Sequence, residues 1–488
     1  MKYDEFTLVI NQVAQYDEIR ATWNQADGGR KPERADLRLA PHERDITRYL
    51  IGLLRYGKLE GDEEGLRLLG ESLYRALFPE HIDRLFREAV DAVRRQQYNG
   101  QEDKRLRVLI EVESSYYQVA NWPLEFLRCT AEGGYWLATA KDLLTLSRRL
   151  IFPGQKVEGL QHYSPPLRVL VVVSKPRGES GVMTTVIEDI AKWAAKDPAL
   201  EVKLLGRLEE RELVTGMNYL NELATFGNIS REIIEFKPHV LHFIGHGKTE
   251  KYHGCLGLVN SYTEKVEWCS ASDFLQLLTA SPLRLVVLQA CESAMDTTGS
   301  GFMSLAAYLV QRNIPAVVAM QFEIRNIHAT DFASGFYAEL ARGVDVDVAV
   351  QTGRWNISFP GGGRWQERHF GTPVLFVINA QGIISPVSPG SSHRQPRGHR
   401  RESGRAQKPV VQPNQASDDR AKRLKWLEEE AQEAEKRGNL RDAETFRRRI
   451  SDLSGAKEVK VIDDGDDLAN RSRQVQKSST GRLIKRSI

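Results

Sequence analysis

Cysteine is scarce in this chain: four in 488 residues (Cys129, Cys255, Cys269 and Cys291), with no CxxC pair. That sparsity excludes a disulfide scaffold and a zinc ribbon and points to reduced thiols. Long apolar runs are missing too. No stretch of eighteen apolar residues occurs, and the opening MKYDEFTLVINQV sets acids beside its only early lysine without an apolar core segment. Neither a membrane span nor an export signal is expected, so the expectation is a cytoplasmic protein with no membrane partner. No internal repeat stands out, which argues against a solenoid. What remains is ordinary globular composition, 41% hydrophobic and 27% charged, in a chain long enough for two to three compact units.

The net charge of +3 hides an asymmetry. Residues 1–380 hold 44 Lys/Arg against 49 Asp/Glu, whereas residues 381–488 hold 24 against 16. The last eighteen residues carry six bases and no acid, the pattern of a solvated arm able to meet an acidic partner. The basic clusters Arg394–Arg405 and Arg471–Arg486 lack interleaved aromatics, and no nucleic-acid partner is expected from them.

Along the chain, Phe6 to Ile10 forms an apolar run, and Ile46, Leu50, Leu53 and Leu54 then recur at helical spacing, as do Leu66, Leu69, Leu73 and Leu77. A third helix is predicted from His81 to Arg95. Leu106–Val112 reads as a strand, and Pro123 opens a short helical turn. After Pro165-Pro166, strands alternate with amphipathic helices, the signature of a parallel sheet. The predicted strands are Leu167–Ser174, Leu200–Leu205, Val240–Ile244, Leu285–Gln289, Ala316–Met320 and Val374–Ile378. Helices are predicted at Phe302–Gln311, Phe332–Arg342 and Val346–Trp355. The fold class is therefore α/β, a mostly parallel sheet flanked by helices. Five regions follow: a helix-rich α+β region at 1–100, the main domain at 101–385 with its core at 165–380, a basic flexible linker at 386–416, a charged helical hairpin at 417–453 turning at Gly438, and a disordered tail at 454–488.

Two segments join a buried strand to small and reactive residues: HVLHFIGHG, ending at His246 and Gly247, and LVVLQACES, containing Gln289, Cys291 and Glu292. Functional groups of open α/β sheets collect outside the carboxyl ends of the strands, where both would lie. A cysteine attacks as its thiolate and needs an imidazole to take the proton. His246 is the candidate base and Cys291 the candidate nucleophile. Gly245 and Gly247 suggest a sharp backbone turn with room for a substrate carbonyl, and the amides of Gly247 and Cys291 are the candidate oxyanion hole.

These motifs, HFIGHG and LVVLQACESA, resemble those of CHAT-domain proteins, a branch of the caspase-like cysteine peptidases (clan CD). LRVLIEVE, NWPLEFL, GYWLATAKDLLTLSRRL, PPLRVLVVVS, IPAVVAMQFEI and FGTPVLFV resemble further CHAT blocks in order, and the histidine-to-cysteine spacing of 45 residues is close to the caspase pattern. The resemblance implies a caspase-like fold, a catalytic role for His246 and Cys291, and a specificity pocket lined by Gln289. Glu-Ser follows the cysteine where caspases have Arg-Gly, so cleavage after aspartate is not implied. Glu292 and Asp296 would instead favour a basic P1 residue.

His239, His242, His246 and Cys255 do not make a metal site by spacing, since strand alternation sets His239 and His242 on opposite faces. His242 reads as a packed core histidine. Gly361-Gly-Gly363 reads as a surface loop, and Trp122, Trp136, Trp355 and Trp365 as packing residues. The expected function is a cysteine endopeptidase, without metal or organic cofactor, that cleaves a protein partner. The resemblance suggests a regulated bacterial defence or signalling system, with an activating protein held by the hairpin or the basic tail. The alternative is an inactive caspase-like scaffold that recruits partners through the hairpin.

Overall fold

The computed structural model describes residues 3–378 apart from 14–15, 27, 37–40, 114–120, 132, 153, 156–162, 164, 179–184, 210–217, 251–252, 279–280, 296–299 and 359–367, together with Arg447, which is helical and exposed. Two units are distinguished, 1–398 and 399–488. The linker at 386–416, the hairpin at 417–453 and the tail at 454–488 therefore lie outside the described residues apart from Arg447, as do Asp296, Trp365 and Gly361-Gly-Gly363.

The strands are β1 (Asp4–Val13), β2 (Tyr16–Asn24), β3 (Arg30–Asp36), β4 (Leu106–Glu113), β5 (Arg128–Cys129), β6 (Tyr135–Trp136), β7 (Leu144–Ile151), β8 (Leu167–Val173), β9 (Leu200–Leu205), β10 (Asn218–Leu220), β11 (Val240–Glu250), β12 (His253–Val259), β13 (Val266–Ser270), β14 (Leu285–Met295), β15 (Ala316–Met320) and β16 (Pro373–Val377). The helices are α1 (Pro41–Arg55), α2 (Glu63–Leu77), α3 (Glu80–Tyr98), α4 (Thr185–Lys196), α5 (Phe226–Phe236), α6 (Ala271–Leu278), α7 (Ser300–Gln311), α8 (Asn326–Ala341) and α9 (Val346–Ser358).

One sheet runs in the order β10-β9-β8-β11-β14-β15-β16-β7-β4-β1-β2-β3, with β12 and β13 hanging from the outer part of β11. It is mixed rather than wholly parallel. β9, β8, β11, β14 and β15 are parallel neighbours; β16 turns antiparallel against β15; β7, β4 and β1 then follow β16 in parallel. The sheet also runs across the division suggested near residue 100, because β1 pairs along its length with β4. At the far edge, β3 carries Pro32 and charged residues, a composition that discourages further strand addition.

Alternation along each strand feeds two cores. Val240, Ile244, Leu285 and Val287 face one, filled by α1–α4, α8 and α9 through residues such as Leu69, Phe86, Ile190, Phe336 and Val350. Leu241, Phe243, Val286 and Leu288 face the other, filled by α5, α6 and α7 through Ile233, Phe274 and Leu309. Continuous branched runs such as LRVLVVV form strands because both of their faces are covered. Helix ends are set locally. Asp62 caps α2 by accepting from the Gly65 amide at 2.9 Å, and Thr225 caps α5 through the Asn228 amide at 3.1 Å. Lys237 closes α5 in the left-handed region at φ 50°, a place where glycine would be expected.

A buried charged seam lies where the sheet reverses direction. Glu125, which has no exposed surface, accepts from Arg148 of β7 at 2.9 Å through Nε, and from Gln321 at 2.9 Å. Arg354 of α9 lies 3.7 Å from Glu125 and donates to the Pro373 and Leu146 carbonyls at 2.9 and 2.8 Å, tying β16 to β7. Burial lowers the Arg354 pKa to about 10.

Candidate functional site

β11 is the longest strand of its half of the sheet that changes partner midway. Val240 to Ile244 pair with β8 on one side, but beyond Ile244 that side is occupied by β12, with His246 opposite Gly257. β8 is also the point from which the chain steps first to β9 and later to β11 on its other flank, so strand order reverses there. Crevices outside the carboxyl ends of strands form at such reversals. His246 lies two residues beyond the last β8 pair on β11, and it is buried.

On the other side, β11 and β14 are in parallel register from Val240↔Leu285 to Gly245↔Ala290. The next regular pair is Gly247↔Met295. A single residue of β11, His246, thus stands against residues 291–294 of β14, an irregularity of the kind that re-aims side chains beside functional sites. Position 291 is the first residue past the shared register and opens the stretch 291–294 that faces His246. Position 292, occupied by Glu292, falls within the same irregular stretch.

The local backbone departs from the expected sharp turn. β11 continues through Gly245 and Gly247 to Glu250, and β14 through Cys291 to Met295, so the two positions lie within extended strands rather than just past their ends. Gly245 is required by packing: a Cβ there would come within 2.9 Å of the Phe243 ring and 3.1 Å of Ser174 Cβ. Gly257 makes space for the histidine, since a Cβ at 257 would lie 3.2 Å from His246 Cβ. Ser174, just past β8, donates its hydroxyl to the Gly257 carbonyl at 2.7 Å and its amide to the Ile244 carbonyl at 2.9 Å, pinning β12 against β11 where the partner changes. Nothing in the sequence pattern marked Ser174 or Gly257, because their role depends on a strand exchange seen only in the assembled sheet.

Beneath the strand ends, His242 of β11 is buried between Tyr337 of α8 and Gln289 of β14. Its Nδ1 is 2.7 Å from the Tyr337 hydroxyl and its Nε2 is 3.0 Å from Gln289 Oε1. Burial lowers the His242 pKa from the usual 6.5 to about 4, leaving the ring neutral at physiological pH, and pushes Tyr337 well above the usual phenol value. Gln289 therefore packs under the strand ends rather than lying open to solvent. At the opposite end of β11, His239 accepts from the Arg168 amide at 3.1 Å. Its pKa is likewise lowered to about 4, by burial and then by Arg168 and Arg284.

The other thiols are poor nucleophiles. Cys129, Cys255 and Cys269 are unpaired and buried. Burial and Asp273 push Cys269 up to about 12, and burial and Glu250 raise Cys255. Among the described residues no group of three His, Cys, Asp or Glu side chains is placed to hold a metal ion, and no helix is long and apolar enough to cross a membrane.

Comparison with solved structures returns the crystal structure of the Arg-specific cysteine proteinase gingipain R, at 10% sequence identity and a TM-score of 0.35, covering 61% of this chain and 68% of that one. No curated protein sequence matches. The CHAT domain family model matches residues 67–358, more than half of the 488 residues. That span takes in most of α2, all of α3 to α9, both candidate motifs and the exchange of strand partners around His246, and the chain belongs to the CHAT family.

Proposed function

We propose that the protein is a cysteine endopeptidase in which His246 is the general base and Cys291 the nucleophile. What supports this reading is the break in register between β11 and β14, where His246 stands against residues 291–294, two residues beyond the last pair of β11 with β8. Membership of a family of caspase-like cysteine peptidases supports it. So does the raised pKa of Cys255 and Cys269, which makes those thiols unsuited to the role.

In this reading His246 takes the thiol proton and the Cys291 sulfur bonds to the substrate carbonyl carbon. The developing oxyanion is met by main-chain amides, with Gly247 and Cys291 as the assigned donors. The C–N bond breaks as the imidazolium returns its proton to the leaving amine. Water, deprotonated by His246, then hydrolyses the thioester to release a carboxylic acid and the thiol. Glu292 and Asp296 are assigned to the substrate side, where their charge would favour a basic P1 residue. A protein substrate, an activating partner and a place in bacterial defence or signalling belong to the same proposal.

The test is a peptide-library cleavage profile, read by mass spectrometry, for the full chain and for its Cys291→Ala and His246→Ala variants. Cleavage by the wild type and by neither variant supports the assignment. Equal cleavage by all three would reject it, and absence of cleavage from every sample would favour a binding scaffold.

A further inference from the structure

Trp268 of β13 leaves 36% of its surface exposed. A single exposed aromatic needs no explanation by itself, but this one borders the proposed general base. His246 on β11 pairs with Gly257 on β12, and Gly257 pairs with Trp268 on β13, so the three positions form one row across adjacent strands. Directly paired residues share a sheet face. Leu256, Leu258 and Cys269 beside them pack into the opposite core with Phe243, which leaves the row on the face of His246.

β13 stands two strands from β11, about 10 Å away, and glycine at 257 lets the indole lean across that interval. A Cβ on Gly257 would lie 3.4 Å from Trp268 Cζ3 and 3.2 Å from His246 Cβ, so the edge of the indole and the base of the histidine side chain flank the same gap. Lys248, the next residue of β11 on that face, sets its ammonium 4.4 Å from the centre of the Trp268 ring and pairs with Glu250 at 3.1 Å. The cation–π contact steadies the ring, while the carboxylate answers the charge. What this surface offers a ligand is the indole and the Lys248 stem, an apolar platform without net charge.

The proposed chemistry decides which part of a peptide meets it. The imidazolium returns its proton to the nitrogen of the breaking C–N bond, so the leaving segment lies on the His246 side of Cys291. β14 flanks β11 on one side, and β12 followed by β13 on the other. A segment that passes His246 away from β14 therefore meets Gly257 and then Trp268. We infer that Trp268, steadied by Lys248, is a specificity-determining platform for a large apolar side chain, aromatic above all, on the first or second residue after the scissile bond. The path of the leaving segment rests on the proposed dyad, and the experiment keeps the two apart.

Cut sites in a peptide library are mapped by mass spectrometry for the full chain and for Trp268→Ala, Trp268→Phe and Glu267→Ala, the last a control on the opposite face of β13. Wild-type cuts should be enriched in phenylalanine, tyrosine, tryptophan or leucine at the first or second position after the cut. The preference for phenylalanine over glycine there should fall about tenfold in Trp268→Ala and persist in Trp268→Phe and Glu267→Ala. Cleavage without that enrichment, or with an enrichment that survives Trp268→Ala, would overturn the platform and leave the dyad standing. An equal loss in Glu267→Ala would also overturn it, by assigning the effect to the strand rather than the indole. If no sample cleaves any peptide, the dyad fails and NMR decides the platform. The Cys291→Ala full chain, 15N-labelled at its indoles, is titrated with acetyl-Ala-Lys-Phe-Ala-amide and with acetyl-Ala-Lys-Gly-Ala-amide, the Trp268 signal being assigned with Trp268→Phe. A shift with the phenylalanine peptide and none with the glycine peptide is expected, and an unmoved Trp268 signal with both would overturn the platform as well.

Discussion

The seam around Glu125 and the strand ends around Gln289 both bury polar side chains in one sheet, but the first is a network of charges and the second a chain of neutral groups. At the seam, the Glu125 carboxylate is shared by Arg148, Gln321 and Arg354, and Arg354 also donates to main-chain carbonyls of β7 and β16. Nearly every charge there answers another, and the cluster welds the two oppositely directed parts of the sheet. At the strand ends, the Tyr337, His242 and Gln289 chain stops at an amide nitrogen without an acceptor among the described residues. Each network keeps one buried N–H group without a hydrogen-bond partner among the described residues, Nη2 of Arg354 and Nε2 of Gln289, so the difference between them is that the seam is ionic and the strand-end chain neutral.

That contrast makes ordered predictions. The largest effect belongs to chemistry: Cys291→Ala should lower peptide cleavage by about 10^4-fold or more and leave the thermal midpoint unchanged, as measured by turnover and differential scanning fluorimetry. Next comes Glu125→Ala, which leaves Arg148 and Arg354 buried without a counter-charge. It should cost about 3–5 kcal/mol in urea denaturation, with cleavage lost only in proportion to the unfolded fraction. Tyr337→Phe, in the neutral chain, should cost only about 1 kcal/mol of stability. The smallest effect is expected for exposed ion pairs such as Arg48 with Asp45, where Arg48→Ala should change stability by less than about 1 kcal/mol. A Glu125→Ala variant as stable as Tyr337→Phe would break the comparison.

Acid should expose the same division. His239 and His242 have folded pKa values near 4 against about 6.5 in an unfolded chain. Between those values the unfolded state binds protons that the folded state does not, so stability falls as pH drops from about 6.5 towards 4. Above 6.5 both rings are neutral in either state and their contribution is fully present. Denaturation curves across that range should show this slope, reduced in His242→Asn.

Much of this was legible in the sequence. β9 and β15 fall on the residues predicted, because continuous or alternating branched runs between helices leave little choice. The two strand-to-glycine and strand-to-cysteine segments singled out in the α/β pattern do lie on adjacent parallel strands, β11 and β14. β2, β3, β12 and β13 were not anticipated, although each pairs with the strand just before it in sequence, because their polar and glycine residues break the apolar runs that mark a strand. The reversal at β16 was hidden because PVLFV is equally apolar in either direction, so its sequence does not show which way it runs against β15. Arg148 and Arg354 look like surface residues in a linear reading, and Tyr337 looks like one more aromatic in a core helix. The roles of all three come from partners 23 to 208 residues away.

The most direct test of the central pairing is to find which cysteine a peptidyl acyloxymethyl ketone modifies, by mass spectrometry of the digested protein, and how fast. Modification at Cys291, with Cys129, Cys255 and Cys269 untouched and the rate reduced at least about a hundredfold by His246→Ala, is the predicted result. Modification spread over the other thiols, or a rate at Cys291 indifferent to His246, would contradict the account.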